Sequence, residues 1–186
     1  MTDRFSADLA TTLRAVRDDR GLSVNRLAEL SGVSRAMITK IEGGQAQPTA
    51  ALLGRLCAAL GLTLSELFAR TEGQAPRLTR AADQLVWVDP ATGYRRRSVS
   101  PAGGPVELVE VELPAGAEVS YPAESYALAG HQIWVLRGRL EFREGDVEHD
   151  LRAGDCLELG APAPGTYRNT SDEPCRYLVV LSRPVR

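Results

Sequence analysis

Cysteine is scarce in this chain and badly spaced for joint work. Cys57, Cys156 and Cys175 are the only three, with no CxxC pair, which excludes a thiolate zinc site and a disulfide framework. Cys57 falls on an apolar helical face and the other two lie in strand-like runs, so all three read as packed side chains. Long apolar runs are absent too: nothing approaches the roughly 18 residues of a membrane helix. The opening MTDRFSADLA lacks the apolar core of a secretory signal, so a cytoplasmic protein with no membrane contact is expected. Internal repeats and low-complexity tracts are missing. So is lysine, apart from Lys40.

Bulk positive charge is the last absence. The formal net charge is −2. Residues 1–70 carry nine basic against seven acidic side chains, and residues 71–186 thirteen against seventeen, leaving +2 and −4. A module at +2 does not hold nucleic acid by overall charge. Any DNA affinity must come from oriented phosphate contacts and from binding as a dimer. What is present suits a globular fold: 44% hydrophobic and 25% charged residues, over a length that allows one large domain or two small ones.

The first seventy residues show helical periodicity in short pieces. Leu9, Leu13 and Val16 share one face, and Gly21 follows as a stop. Ser23 is placed to cap a second helix holding Leu27 and Leu30, which ends before Gly32. Ser34 caps a third with Ile38 and Ile41 inward. Thr49 caps a fourth carrying Leu52, Leu53, Leu56, Cys57 and Leu60, stopped by Gly61. Thr63 and Glu66 form a capping box for a fifth, short helix with Leu67 and Phe68. Within this string, residues 24–41 have helix-turn-helix spacing. Ala28 is small where two steeply crossed helices approach, and Gly32 is free to take the positive φ of a tight turn. Leu27, Val33, Ile38 and Ile41 point to a shared core. An ordinary helical hairpin is the alternative reading.

The segment RGLSVNRLAELSGVSRAMITKIEGGQAQPT resembles the five-helix repressor domain shared by phage repressors and the xenobiotic-response-element regulators of bacteria, over roughly residues 6–70. The resemblance implies a third helix that enters the major groove with its first residues on base edges. It puts Arg35 and Ala36 at the leading reading positions, with Thr39 and Lys40 one turn on. Arg35 suits a bidentate pair with guanine, and Ala36 a thymine methyl. Ser23 and Ser34, at helix N-termini, are phosphate candidates, as are Gln45 and Gln47 in the following loop. The resemblance also makes Arg17 and Glu42 a structural ion pair. Gly43 departs from the pattern, since relatives often carry arginine or asparagine there, and a phosphate contact goes with that side chain. The bland alternatives are an Arg35 that is only solvated and a Ser34 that only caps.

From Thr71 to about Ala82 the run TEGQAPRLTRAA reads as linker, giving domains over 1–70 and 84–186 with 71–83 between them. LVWV, VELVEVEL, QIWVLRGRLEF, CLEL and RYLVVL are then short β-rich runs split by Gly and Pro turns, which implies a sandwich or small barrel. Arg95-Arg96-Arg97, the only basic run, reads as a solvated strand end. The stretch from about Leu85 to Arg186 resembles the cupin superfamily, most clearly in Gly138, Gly154-Asp155, Asn169 and Pro174. The expected fold class is multi-domain α plus β: a five-helix helix-turn-helix domain, then a cupin-type antiparallel β-barrel.

A metal-binding cupin supplies His-x-His, a Glu and a further His, and about three such side chains must converge. Carried over, the resemblance puts Glu124 and Tyr126 at the His-x-His positions, His131 at the glutamate and Gly165 at the last histidine. Glycine has no donor atom. His149, the only other histidine, falls in the EGDVEHDLRAGD turn region and is expected at the surface. No metal and no cofactor is therefore expected, with Glu124, Tyr126 and His131 as the residual metal alternative. What remains is a barrel mouth lined by Tyr126, His131, Trp134 and Tyr167 near Glu124, the composition of a small-molecule pocket. His131 and Trp134 are out of phase in a strand, so only one of them faces inward. The expectation is a non-enzymatic, homodimeric regulator of transcription, a repressor, that binds a double-stranded operator and a small-molecule effector. Three readings compete with it: a metal-dependent cupin enzyme anchored to DNA, a barrel that only dimerises, and an effector-free repressor or antitoxin.

Overall fold

The computed structural model describes residues 2–72, 77–101 and 104–182, with side chains from Ala7 onward and without that of Glu72. Five helices come first: α1 (Thr2–Asp19), α2 (Val24–Ser31), α3 (Arg35–Glu42), α4 (Ala50–Leu60) and α5 (Leu64–Glu72). The capping residues read from the sequence set their starts. Ser23 Oγ accepts from the Arg26 N–H (3.1 Å), Ser34 Oγ from Met37 (3.3 Å) and Thr49 Oγ1 from Leu52 (3.3 Å), pairing amides that have no partner inside the helix. The Thr63–Glu66 box closes in both directions, at 2.6 and 3.0 Å. Gly32 ends α2 with φ +64°, a conformation that costs a residue bearing a β-carbon about 1–2 kcal/mol. Leu13, Leu27, Ile38 and Leu53 are fully buried, whereas Leu30 lies on the outer side of α2, 47% exposed.

Helix α5 continues through Thr71 and Glu72, residues expected in the linker. The Thr71 hydroxyl donates to Leu67 O (2.9 Å), which keeps the last turn closed. Residues 73–76 of the expected linker lie outside the described residues, and Ala81–Asp83 form a single 3₁₀ turn. Among the described residues, no single helix is long and apolar enough to cross a membrane.

Ten strands follow: β1 (Val86–Val88), β2 (Arg95–Ser98), β3 (Val106–Leu113), β4 (Glu118–Tyr121), β5 (Gly130–Arg137), β6 (Arg139–Glu144), β7 (Val147–Arg152), β8 (Cys156–Glu158), β9 (Gly165–Arg168) and β10 (Cys175–Ser182). All pairings among the described residues are antiparallel. One sheet has six strands in the order β1-β2-β3-β10-β5-β8 and the other four, β4-β9-β6-β7. The expected barrel is thus two sheets; among the described residues, no pairing joins them into a closed cylinder. Their inner faces meet instead through side chains, with Tyr167 of β9 stacked on Tyr177 of β10 (centroids 5.5 Å, interplanar angle 6°). The run QIWVLRGRLEF splits into β5 and β6 at Gly138, where φ is +84° and a β-carbon would sit 3.2 Å from Pro174 O.

Three surface assignments are corrected. Arg95–Arg97 form strand β2 itself, and alternation turns Arg96 inward, where it is buried. Its guanidinium lies over the Phe68 ring (4.8 Å to the centroid) and donates to Ser65 Oγ at 2.5 Å. Cys156, expected to be packed, is exposed because β8 is the edge of its sheet. His149, expected at the surface, is only 25% exposed, its ring stacked on Phe142.

One continuous apolar core runs from α1 through β10, so helices and sheets pack directly. Phe68 of α5 meets Trp87 of β1 at 5.7 Å. Asp89, from the β1–β2 turn, accepts the first amide of α4 at Ala50 (3.3 Å), placing a carboxylate at a helix N-terminus, where the dipole favours it.

Candidate functional site

Helix α3 is anchored from behind and open in front. Ile38 and Ile41 are buried, while Arg35, Ala36, Thr39 and Lys40 are all exposed. Ser23, Ser34, Gln45 and Gln47 are exposed around the same region. The two serine oxygens accept backbone amides as caps, which leaves each hydroxyl proton for an outside acceptor. Thr39 Oγ1 donates back to Arg35 O (3.0 Å), so its methyl is the freer end. The far end of α3 is fixed by the Arg17–Glu42 pair. Arg17 Nε and Nη2 reach Glu42 Oε1 and Oε2 at 2.7 and 2.8 Å, while Nη1 donates to Asp18 Oδ1 (2.6 Å) and Leu22 O (2.8 Å). The Arg17 and Glu42 side chains are 9% and 7% exposed, which makes this a buried bidentate pair.

A second candidate site lies inside the molecule. A cavity of about 80 Å³ sits where the inner sheet faces meet the helices. All five tyrosines of the chain line it: Tyr94, Tyr121, Tyr126, Tyr167 and Tyr177. Burial raises the pKa of each phenol, so the tyrosines give the cavity wall neutral hydroxyls and aromatic rings, beside the one guanidinium of Arg96. Tyr121 Oη, Tyr126 Oη and Ser125 Oγ are buried without a well-aligned hydrogen bond, although the Tyr121 phenol interacts with that of Tyr94 and the Tyr126 phenol with that of Tyr167. Such groups cost about 1–3 kcal/mol each when left unpaired, and three around one space mark a place for water or a ligand.

His131 faces this cavity, because it shares strand parity with the buried Ile133 and Val135. Trp134 has the opposite parity and is 46% exposed on the outer face. Glu124 is exposed on the 3₁₀ turn Ala123–Tyr126 and does not line the cavity. Tyr126, His131 and Tyr167 are therefore brought together, and Glu124 and Trp134 are not. Residues 54, 57 and 62–65 of the helical half complete the wall, and nothing in the sequence reading placed them there. One signal was available: Gly54 sits inside a helix, where glycine costs about 1 kcal/mol. A β-carbon there would come within 2.5 Å of the Tyr121 ring.

The residues at the cupin metal positions do not fit a metal. Tyr126 leans over Gly165 so closely that a β-carbon at 165 would lie 2.2 Å from the phenol oxygen. Tyrosine thus fills the space that a histidine at 165 would enter. Among the described residues, no three His, Cys, Asp or Glu gather in a way that could hold an ion.

His131 Nδ1 lies 2.9 Å from Ala129 O, which places its proton there and leaves Nε2 as an acceptor. Burial lowers the imidazole's pKa, against a smaller raising effect from the Ala129 carbonyl. Above about pH 6.5, the unperturbed value, the ring is neutral in both folded and unfolded chains. Below it the unfolded chain takes the proton first, so stability falls with pH until the folded ring also titrates. The urea midpoint should therefore drop more between pH 7 and pH 5 in the natural chain than in His131→Gln. Equal drops would remove His131 as a source of that pH dependence.

Residues 8–69 match the family described as a helix-turn-helix domain, and residues 109–181 that described as a cupin domain. The chain is a transcriptional regulator with a helix-turn-helix domain and a cupin domain. This regulator is similar to the HTH-type transcriptional regulator SutR of Escherichia coli (strain K12), 25% identical over 176 residues covering 95% of each chain. It is also similar to the HTH-type transcriptional regulator PuuR of the same organism, 27% identical over 168 residues, 89% of this chain and 90% of PuuR. Its fold matches the crystal structure of an HTH_3 family transcriptional regulator from Vibrio cholerae with a TM-score of 0.79 at 23% identity, covering 100% of both chains.

Proposed function

We propose that this regulator is a cytoplasmic, non-enzymatic repressor that binds a near-palindromic operator as a homodimer and responds to a small molecule held in the tyrosine cavity. The observation that carries the DNA half is the outward face of α3. Arg35, Ala36, Thr39 and Lys40 stand exposed together, on a helix fixed by Ile38, Ile41 and the Arg17–Glu42 pair. Arg35 donates to a guanine edge, Ala36 packs on a thymine methyl, and Ser23, Ser34, Gln45 and Gln47 take phosphates. Residues 1–70 do the reading. Residues 84–186 join two copies so that the two α3 helices stand about 34–36 Å apart, one turn of DNA. Dimerisation supplies the affinity that a +2 module lacks.

Support for the effector half comes from the cavity, with its neutral hydroxyls and three buried polar atoms that lack a well-aligned hydrogen bond. Arg35→Ala is expected to weaken operator binding by about 1–3 kcal/mol and to relax preference at one base position. Lys40→Ala is expected to weaken all sequences alike and reduce the salt dependence by about one charge. A gel shift at two salt concentrations with single-base operator variants measures both. If Arg35→Ala leaves affinity and base preference intact, α3 is not the reading helix.

A further inference from the structure

The cavity belongs to both halves of the chain. Tyr126, His131, Tyr167 and Tyr177 come from the sheets and the turn before β5, while Cys57 of α4, Leu62 and Thr63 of the α4–α5 turn, and Leu64 and Ser65 at the start of α5 complete the lining. Gly54 lets α4 rest directly on the Tyr121 ring. The lining contains no Asp, Glu or Lys, and its one fixed charge is Arg96. That charge reaches Tyr94 and Tyr121, lowering both phenols against the larger effect of burial. Glu144 acts on Tyr126 and Tyr167 from outside the lining and accepts the Gly160 N–H at 2.7 Å. An ammonium group in the cavity would find no carboxylate in the lining to pair with. A hydroxyl, amide or carboxylate would meet Tyr121 Oη, Tyr126 Oη, Ser125 Oγ and the open Nε2 of His131. At about 10–15 Å³ of such space per water, the volume admits a solute of roughly six non-hydrogen atoms.

We propose that this is a two-domain site for a compact, oxygen-bearing solute without positive charge, and that occupancy clamps the α4–α5 turn of the DNA-reading half onto the sheets. The inference rests on the reading of the cavity as an effector site and names its ligand class and its direct contact with the reading half. A rigid helical half whose attitude is set by a ligand carries α3 with it, so differential affinity for two attitudes becomes differential affinity for an operator.

The test uses the full chain with Trp134→Phe, leaving Trp87 at the helix–sheet junction as the only tryptophan. Lactate, propionamide and propylammonium are titrated to 50 mM (about a thousandfold over protein) while Trp87 emission and amide hydrogen exchange are followed. Lactate or propionamide is expected to shift the emission saturably and to slow exchange both at residues 121–126 and at residues 61–66. The added Tyr126→Phe substitution is expected to weaken that binding at least fivefold. Propylammonium is expected to do neither. Equal or tighter binding of propylammonium overturns the ligand class, as does silence of all three probes. Protection confined to the sheets overturns the two-domain clamp. Operator affinity is measured separately with and without the bound probe. Saturable binding that leaves it unchanged keeps the cavity chemistry and sinks the effector role, whereas a failed Arg35→Ala gel shift sinks only the DNA reading.

Discussion

Arg17→Leu is expected to lower the free energy of unfolding by about 3–5 kcal/mol, the cost of leaving one member of a buried ion pair without its partner. Glu42, 7% exposed, would lose both of its guanidinium hydrogen bonds, and the Leu22 carbonyl would lose its Nη1 donor. The contact to Asp18 adds little, because Asp18 is 57% exposed and solvent screens it. The double variant Arg17→Met with Glu42→Met is expected to recover most of the loss, since neither charge is then stranded and the methylenes keep the volume. Operator binding should not recover with it. Glu42 closes α3, and the bidentate pair sets how that helix is turned against α1, which apolar contacts alone specify less sharply. Urea unfolding and gel shifts on the same three proteins separate the two effects. A loss below about 1 kcal/mol for Arg17→Leu, the level of a surface pair, would mean that Ile38 and Ile41 hold α3 unaided.

The helical half was legible because its signals are local. A cap, a glycine stop and a 3.6-residue period all act within one helix, so Ser23, Ser34, Thr49 and the Thr63–Glu66 box could be read in isolation and are found in place. The ion pair of Arg17 with Glu42 spans 25 residues and was reached through the family resemblance, not through spacing. The sheet half was legible as strands but not as a site. Alternation says that His131 and Trp134 face opposite ways, yet not which one faces the cavity; the buried Ile133 and Val135 decide it. Arg96 shows the limit most clearly. Three consecutive arginines look solvated, and only the neighbouring helix, bringing Phe68 and Ser65, makes the middle one a junction residue. Likewise Tyr94, Tyr121 and Tyr177 are far apart in sequence and meet only because the two sheets and α4 close on one another.

Asn169→Ala is expected to cost about 3–4 kcal/mol, given about 1–3 kcal/mol for each buried polar group left unsatisfied. Asn169 is fully buried in the turn between β9 and β10. Its Nδ2 is shared among Leu113 O (3.0 Å), Pro114 O (3.1 Å) and Glu173 O (2.8 Å), and its Oδ1 accepts from the Ser171 amide and hydroxyl. One side chain thus ties the β9–β10 turn to the β3–β4 turn. Alanine removes every one of these partners at once and leaves the three carbonyls without the amide that they share. Asn169→Asp separates donor loss from volume loss. It keeps the acceptor for Ser171 but turns an oxygen toward three carbonyls, so at neutral pH it is expected to cost at least as much as alanine. Its deficit should shrink in acid, where the protonated carboxyl donates again. The cavity should feel either change, because Tyr167 stands two residues before Asn169 and stacks on Tyr177. Loosening that turn frees the stacked pair that forms the cavity wall. Urea unfolding at pH 7 and pH 4.5 checks the order of the two variants, and a cost under about 1 kcal/mol for alanine would mean that backbone pairing alone holds the two turns together.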